Sequence, residues 1–276
     1  MKSGVICAGV TPHTPRMGIE AKAPDFAKPV IAGSYLLGEA LRAMNPDVLV
    51  INSAHWVSTF NWYATCQPVH RGMSVADEAP DLISGVPYQR PGMPEFGAAI
   101  VDEVKTLGYP IYRNESEHFT WDYGSWVPLH YLDPEQRIPA VLIPSCIAAG
   151  LKECMDVGAA IDRAARKIGV RAIFMASCSF SHKLVRGPDQ WPAEERIETD
   201  RAFIAMLCEG RIAEARRWFP EYTQKVVGEV GGRDIATMLG CLDDSAGPYI
   251  GKQYGPYGQS SGSGNTSVAV WRANSN

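Results

Sequence analysis

Three of the six histidines in this 276-residue chain come directly after short apolar runs. They are His13, His55 and His182. Short runs rich in β-branched residues are typical of buried strands, and side chains at strand ends of an α/β sheet can converge on one crevice. Imidazole can bind a metal ion there, or can take and return a proton near neutral pH. Each histidine could also cap a turn or lie hydrogen-bonded in the core.

The first two histidines have surroundings that suit a metal ligand. His13 has Pro12 and Pro15 beside it, which stiffen the backbone, and His55 precedes Trp56, a side chain that can line a crevice. Two histidines with one carboxylate form the facial set of ligands found in non-haem Fe(II) oxygenases. The chain has 30 Asp and Glu residues, so spacing alone does not identify the carboxylate.

His182 ends a serine-rich segment, Ser177–His182. Its imidazole could serve as a metal ligand or as a general acid and base. The serines raise the alternative of a nucleophile, but they lack the flanking glycines of the GxSxG elbow. A serine hydrolase is therefore not indicated.

Other polar side chains have less distinctive positions. Tyr123 lies in the aromatic segment Phe119–His130, where its hydroxyl could enter a pocket, although such segments are more often core. His70 lies in a polar stretch and is predicted to be a surface residue. Lys183 and Arg186 follow His182 and could face an anionic substrate or simply be solvated.

The elements that would position these residues alternate along the chain. Strands are predicted at Val5–Val10, Val48–Asn52, Ala140–Ile143, Arg171–Ala176 and Thr266–Trp271. Helices are predicted at Ala32–Met44, Pro94–Leu107, Asp156–Ile168, Glu194–Glu209 and Ile212–Arg217. The Gly-, Ser- and Tyr-rich stretch Gly247–Gly264 is predicted to be an irregular loop. This alternation predicts one α/β domain over residues 1–276, with a central mixed sheet flanked by helices on both faces and an active site at strand-to-loop junctions.

Composition narrows the function classes. The net charge of −4 gives no basic footprint for nucleic acid, and no apolar run reaches the roughly 20 residues of a membrane span. The seven cysteines are scattered without a CxxC pair, which argues against a disulfide framework and a thiolate zinc site. The first residues lack the long apolar region of a signal peptide, so we expect a cytoplasmic protein.

Taken in order, these motifs resemble those of the LigB-type (class III) extradiol dioxygenases. Pro12-His13 and Ser53-Ala-His55-Trp56 are similar to the two histidine motifs of the family, and Ser177–His182 to its acid/base segment. Gly228-Glu229-Val230, with Met238 further on, resembles the segment that supplies the carboxylate. Asp122-Tyr123-Gly124 has tyrosine where many catechol-cleaving members have histidine, which favours the aminophenol-cleaving branch.

The resemblance implies Fe(II) held by His13, His55 and Glu229, with Glu221 as the alternative carboxylate nearby. It further implies that His182 transfers protons and that Tyr123 hydrogen-bonds the substrate or an oxygen atom. The expected substrates are O2 and a catechol- or 2-aminophenol-type ring. The expected assembly is a homo-oligomer or a heterotetramer with an α-type subunit.

Two other functions fit part of the pattern. A zinc-dependent hydrolase could use the same two histidines and glutamate. A dioxygenase-like subunit without catalytic activity would have the fold alone, but the retained histidines argue against it.

Overall fold

The computed structural model describes residues 3–243, 245 and 247–273. The strands are β1 (Gly4–Thr11), β2 (Val48–Ser58), β3 (Trp62–Thr65), β4 (Val69–Val75), β5 (Ser84–Pro91), β6 (Ile111–Asn114), β7 (Ala140–Cys146), β8 (Arg171–Ser177), β9 (Tyr249–Ser260) and β10 (Ser263–Arg272). The helices are α1 (Lys28–Ala43), α2 (Pro94–Lys105), α3 (Tyr123–Leu132), α4 (Leu151–Ile168), α5 (Glu194–Cys208), α6 (Ile212–Val226) and α7 (Arg233–Gly240).

A six-stranded mixed sheet forms the centre of the protein. Its strand order is β7-β2-β8-β1-β10-β9, and the first four strands are parallel, whereas β10 runs antiparallel to both of its neighbours. The carboxyl ends of β1, β2 and β8 therefore lie side by side at one edge. This is the edge at which open α/β sheets place their ligands.

Helices cover both faces of the sheet, because its central strands are apolar on both sides. In β2, Val48 and Val50 pack into one core cluster, while Leu49 and Ile51 pack into a second one. The first cluster includes residues of α2, α4, α5, α6 and α7, and the second includes residues of α1 and α3. The predicted α/β fold with a mixed sheet between helices is confirmed. None of the described helices is long and apolar enough to cross a membrane.

The stretch Gly247–Gly264 was the largest error of the sequence prediction. Most of it forms β9, which pairs with β10 from Tyr249 opposite Arg272 to Ser260 opposite Ser263. Helix α1 packs so closely on β9 that position 258 requires glycine, because a Cβ at Gly258 would lie 2.4 Å from the Val30 side chain. Composition indicated a loop, but the pairing partner decided the structure.

His70 is also placed differently from the prediction. It lies in β4, in the β4–β5 hairpin, with only 4% of its surface exposed. Its Nε2 is 3.0 Å from the carbonyl oxygen of Ala140, and its ring lies 5.3 Å from that of Trp121. The polar residues around His70 in the sequence predicted exposure, but the hairpin lies against the start of β7 and this contact buries the side chain.

Candidate metal centre

His13 is held just beyond the end of β1. Its side chain is buried, and its Nδ1 lies 3.2 Å from the Ser177 hydroxyl at the end of the neighbouring strand β8. Ser177 donates its own hydrogen to the carbonyl oxygen of Gly124, so it accepts from a protonated His13 Nδ1. In a neutral His13 this arrangement places the hydrogen on Nδ1 and leaves Nε2 able to bind a metal ion.

His55 is aimed by a bulge in β2. The register with β7 shifts between Ser53, opposite Pro144, and Val57, opposite Ser145, so three residues of β2 have no partner there. Such bulges bend a strand and redirect side chains, often beside active sites. His55 therefore lies within the strand, rather than after it as predicted. Its side chain is 28% exposed and lies at the open side of the site.

Glu229 begins a tight left-handed turn between α6 and α7. The next three residues, Val230, Gly231 and Gly232, all have positive φ, at 42°, 67° and 80°. A β-branched residue in this region is strained, and such strain is found mainly at functional sites. Here the turn places the Glu229 carboxylate inward, with its Oε2 accepting from the Ser179 amide at 2.6 Å.

One donor atom from each of His13, His55 and Glu229 lies within 4.8 Å of the other two. Glu229 Oε1 is 3.5 Å from His13 Nε2 and 3.9 Å from His55 Nε2. Ligands that bind one ion at about 2.1 Å and at right angles lie about 3 Å apart, so small movements would complete a facial site. Two neutral imidazoles and a carboxylate are also a suitable donor set for a divalent transition metal.

The charges of these three groups are strongly coupled. Burial by itself would lower the pKa of His13, but the Glu229 carboxylate more than offsets this, and the pKa is raised. Burial and the neighbouring His13 lower the pKa of His55 to about 4. Burial would raise the pKa of Glu229, but His13 holds it down at about 2. Metal binding needs the ionised Glu229 and the neutral His55 that these shifts favour, and it would also displace the proton that the raised pKa of His13 favours.

His182 and Tyr123 lie directly beside the three candidate donors. His182 Nε2 is 3.2 Å from Glu229 Oε1, and its side chain is 28% exposed. The Tyr123 hydroxyl is 2.7 Å from His55 Nε2, and burial raises the pKa of Tyr123 well above its usual range. A bound metal ion would occupy the Nε2 lone pair and release this hydroxyl to donate to another ligand.

The serines of Ser177–His182 are structural supports. Ser177 contacts His13, the Ser179 amide contacts Glu229, and the Ser181 amide contacts Asp200. Each therefore holds a residue of the site or the segment beside it. Two of these contacts are made by backbone amides, so the serine side chains in the sequence gave no signal for them.

Asp200 of α5 fixes the backbone just before His182. Its Oδ2 accepts from the Tyr257 hydroxyl at 2.6 Å and from the Ser181 amide at 3.1 Å, and its Oδ1 accepts from the Tyr222 hydroxyl at 2.8 Å. Asp200 is fully buried, and burial raises its pKa although the three donors oppose the change. Sequence reasoning missed this residue, because nothing in α5 marks one aspartate among several acidic residues.

The alternative carboxylate and the nearby cations lie elsewhere. Glu221 is in α6, 65% exposed, and its Oε1 is 3.7 Å from Lys225. Lys183 and Arg186 are both exposed. Within the part of the chain that the structure describes, neither forms an ion pair with a site residue.

The fold and the site together define an α/β protein with a possible two-histidine, one-carboxylate metal centre. The chain matches the family model described as the catalytic LigB subunit of aromatic ring-opening dioxygenase over residues 7–270. It therefore belongs to the LigB family of ring-opening dioxygenases, which are metal-dependent.

Individual relatives agree with this assignment at low identity. The chain is 25% identical to 3,4-dihydroxyphenylacetate 2,3-dioxygenase of Escherichia coli over 77% of this chain and 79% of the relative. It is 24% identical to the 2-aminophenol 1,6-dioxygenase beta subunit of a Pseudomonas species, over 98% and 95%. The alpha subunit of the latter enzyme is 23% identical, over 83% and 85%.

A solved structure has a similar fold. The crystal structure of an uncharacterized protein from Escherichia coli K12 superposes with a TM-score of 0.62 at 19% identity. The likeness covers 87% of this chain and 91% of that protein. At this identity the comparison bears on the fold alone.

Proposed function

We propose that this protein is an Fe(II)-dependent extradiol dioxygenase that opens a catechol- or 2-aminophenol-type ring and incorporates both atoms of O2. The observation that carries the proposal is the convergence of His13, His55 and Glu229 beside His182 and Tyr123 in a LigB-family chain. The three donors would hold the ion on one face. The opposite face would accept the two ortho groups of the ring and O2.

When bound, Fe(II) would supply the exchange of electrons between the ring and O2 that neither undergoes readily alone. The protein's own groups would manage position and protons. His182 has an imidazole at the open side, and it would take a proton from an ortho hydroxyl or amine and later return one. Tyr123 would donate its hydroxyl hydrogen to the substrate or to an oxygen atom, and Ser177 would keep His13 in the binding tautomer.

The aminophenol branch is proposed on two grounds. By the motif resemblance, Tyr123 stands where many catechol-cleaving members have histidine, and the 2-aminophenol beta subunit is similar over 98% of this chain. The similarity to an alpha subunit as well suggests a second, α-type chain in the assembly, with a homo-oligomer as the alternative.

The test begins with metal-free protein that is loaded anaerobically with Fe(II) or with Zn(II). Oxygen uptake and the absorbance of ring-opened product are then measured with 2-aminophenol and several catechols. We expect iron-dependent uptake with at least one of them. Hydrolysis supported by zinc without O2 would instead indicate a metal hydrolase, and iron-loaded protein that is inactive until an α-type chain is added would indicate a required partner.

The ligand assignment has a separate test by metal analysis. Alanine at His13 or His55, or glutamine at Glu229, is expected to weaken iron binding by more than the 10- to 100-fold that is typical when only a supporting group is lost. Glu221→Gln is the matched control, because it changes a nearby exposed glutamate of α6. Unchanged iron content in the first three variants, or a loss confined to Glu221→Gln, would refute the assignment.

A further inference from the structure

The loop that joins β4 to β5 reaches the open side of the metal centre. Ala76 and Ile83 anchor its two ends, and both are fully buried. Ile83 packs on the turn that follows His13, where a Cβ added to Gly18 would lie 2.4 Å from the Ile83 side chain. The loop between the anchors is therefore fixed relative to the first histidine.

Glu78 is the residue of this loop that faces the site. Its Oε1 lies 3.7 Å from His55 Nδ1, on the far side of the ring from Glu229. The Tyr123 hydroxyl is a second neighbour, since the Glu78 carboxylate adds to the effect of burial in raising the pKa of Tyr123. Glu78 thus lies beside the two residues that border the open side.

In the described part of the chain, His55 is the nearest basic group with which Glu78 pairs. The Glu78 side chain is 58% exposed, and across the described ranges it forms no ion pair with lysine or arginine. Asp122, also near the site, is bonded to Ser53 and Ser125, which are neutral. A divalent ion would balance the charges of Glu229 and one further carboxylate, and Glu78 would remain as surplus negative charge beside His55 and Tyr123.

We infer that Glu78 sets the class of aromatic substrate: it admits rings whose other substituents are neutral or cationic and disfavours rings that carry a carboxylate. This inference rests on the proposed function. At this partly solvated site, a substrate carboxylate about 7 Å from the Glu78 carboxylate would be repelled enough to weaken substrate binding by about five- to tenfold. The discrimination would weaken at high salt, because Glu78 is partly exposed.

The test compares 3,4-dihydroxyphenylacetate with its methyl ester, which has nearly the same shape but no charge. Two quantities are measured for each compound with Fe(II)-loaded protein: kcat/KM in air, and the dissociation constant under nitrogen from quenching of tryptophan fluorescence. Glu78→Gln is expected to lower the preference for the ester about five- to tenfold relative to the unsubstituted protein. Asp77→Asn is the matched control, since it removes the same charge from the neighbouring residue and should leave the preference unchanged.

The outcomes separate this inference from the proposed function. An ester preference that is the same in Glu78→Gln and in the unsubstituted protein, or one that Asp77→Asn lowers equally, overturns the role of Glu78. Failure to bind either compound overturns it as well. If both compounds bind with the expected shift in Glu78→Gln but no ring is opened, the role of Glu78 stands and the proposed dioxygenase reaction fails.

Discussion

Acidification is expected to destabilise the protein through His70, a buried residue that is not one of the proposed metal ligands. Burial lowers the pKa of His70 to about 4, with a smaller contribution from Arg90. In the unfolded chain the value is about 6.5. The folded state therefore resists protonation, and the stability linked to this residue is complete above about pH 6.5 and is lost as the pH falls toward 4.

The magnitude follows from the two pKa values. The full difference is worth about 3 kcal/mol, and lowering the pH from about 7.5 to about 5 should remove about 2 kcal/mol of unfolding free energy. Urea denaturation of metal-free protein at the two pH values measures this loss. His70→Gln keeps an N–H for the Ala140 carbonyl but does not titrate, so its loss should be about 2 kcal/mol smaller.

The contributions of the other titrating groups to the stability change are the same in both proteins, so they cancel when the two proteins are compared at the same pair of pH values. His118→Gln is the matched control, because His118 is exposed and forms no side-chain hydrogen bond in the described structure. If His70→Gln loses as much stability on acidification as the unsubstituted protein does, within about 0.5 kcal/mol, then the burial of His70 does not control its protonation.

Two further substitutions test how the site is built. Gly124→Ala would place a Cβ 2.5 Å from the Ser53 hydroxyl and 3.2 Å from the His55 ring, so iron affinity should fall at least tenfold. Gly150→Ala is the control and should retain the affinity, because a Cβ there has nothing within 4 Å. Equal iron affinities of the two variants would contradict this prediction. Asp200→Ala leaves three donors without their acceptor and should cost about 3 kcal/mol or more in urea denaturation. Tyr257→Phe removes one of those bonds and should cost about 1–2 kcal/mol, so equal losses would rule out the shared role of Asp200.

The central sheet was predictable because its strands are short, β-branched and buried on both faces. Ala140–Ile143 and Arg171–Ala176 each fall within a strand of the structure. Two helix starts were predicted too late: α4 begins at Leu151, five residues before the predicted Asp156, and α1 begins at Lys28, four residues before the predicted Ala32. Pro29 explains the late prediction of α1. Proline in a sequence is commonly taken to interrupt a helix, but it fits the first turn of one.

The positions of the candidate ligands were partly predictable, and their supports were not. The histidines could be selected because each lies near the carboxyl end of a strand, whereas Glu229 was selected only through the family resemblance. Asp200 and Glu78 act through contacts with residues distant in the chain, and no local pattern distinguishes them from other acidic residues. His70 shows the same limit, since its burial depends on β7 and not on its neighbours in sequence.

The three proposed ligands lie just after β1, within β2 and in the turn between α6 and α7, at positions 13, 55 and 229. No short fragment contains all three, and β1, which precedes the first, pairs with β8 and β10 from the second half of the chain. During synthesis the centre therefore cannot form until residue 229 has left the ribosome and the sheet has closed around β1. Binding of a metal ion at the proposed centre would then be a late event of folding, and a partly synthesised chain would lack the complete set of three donors.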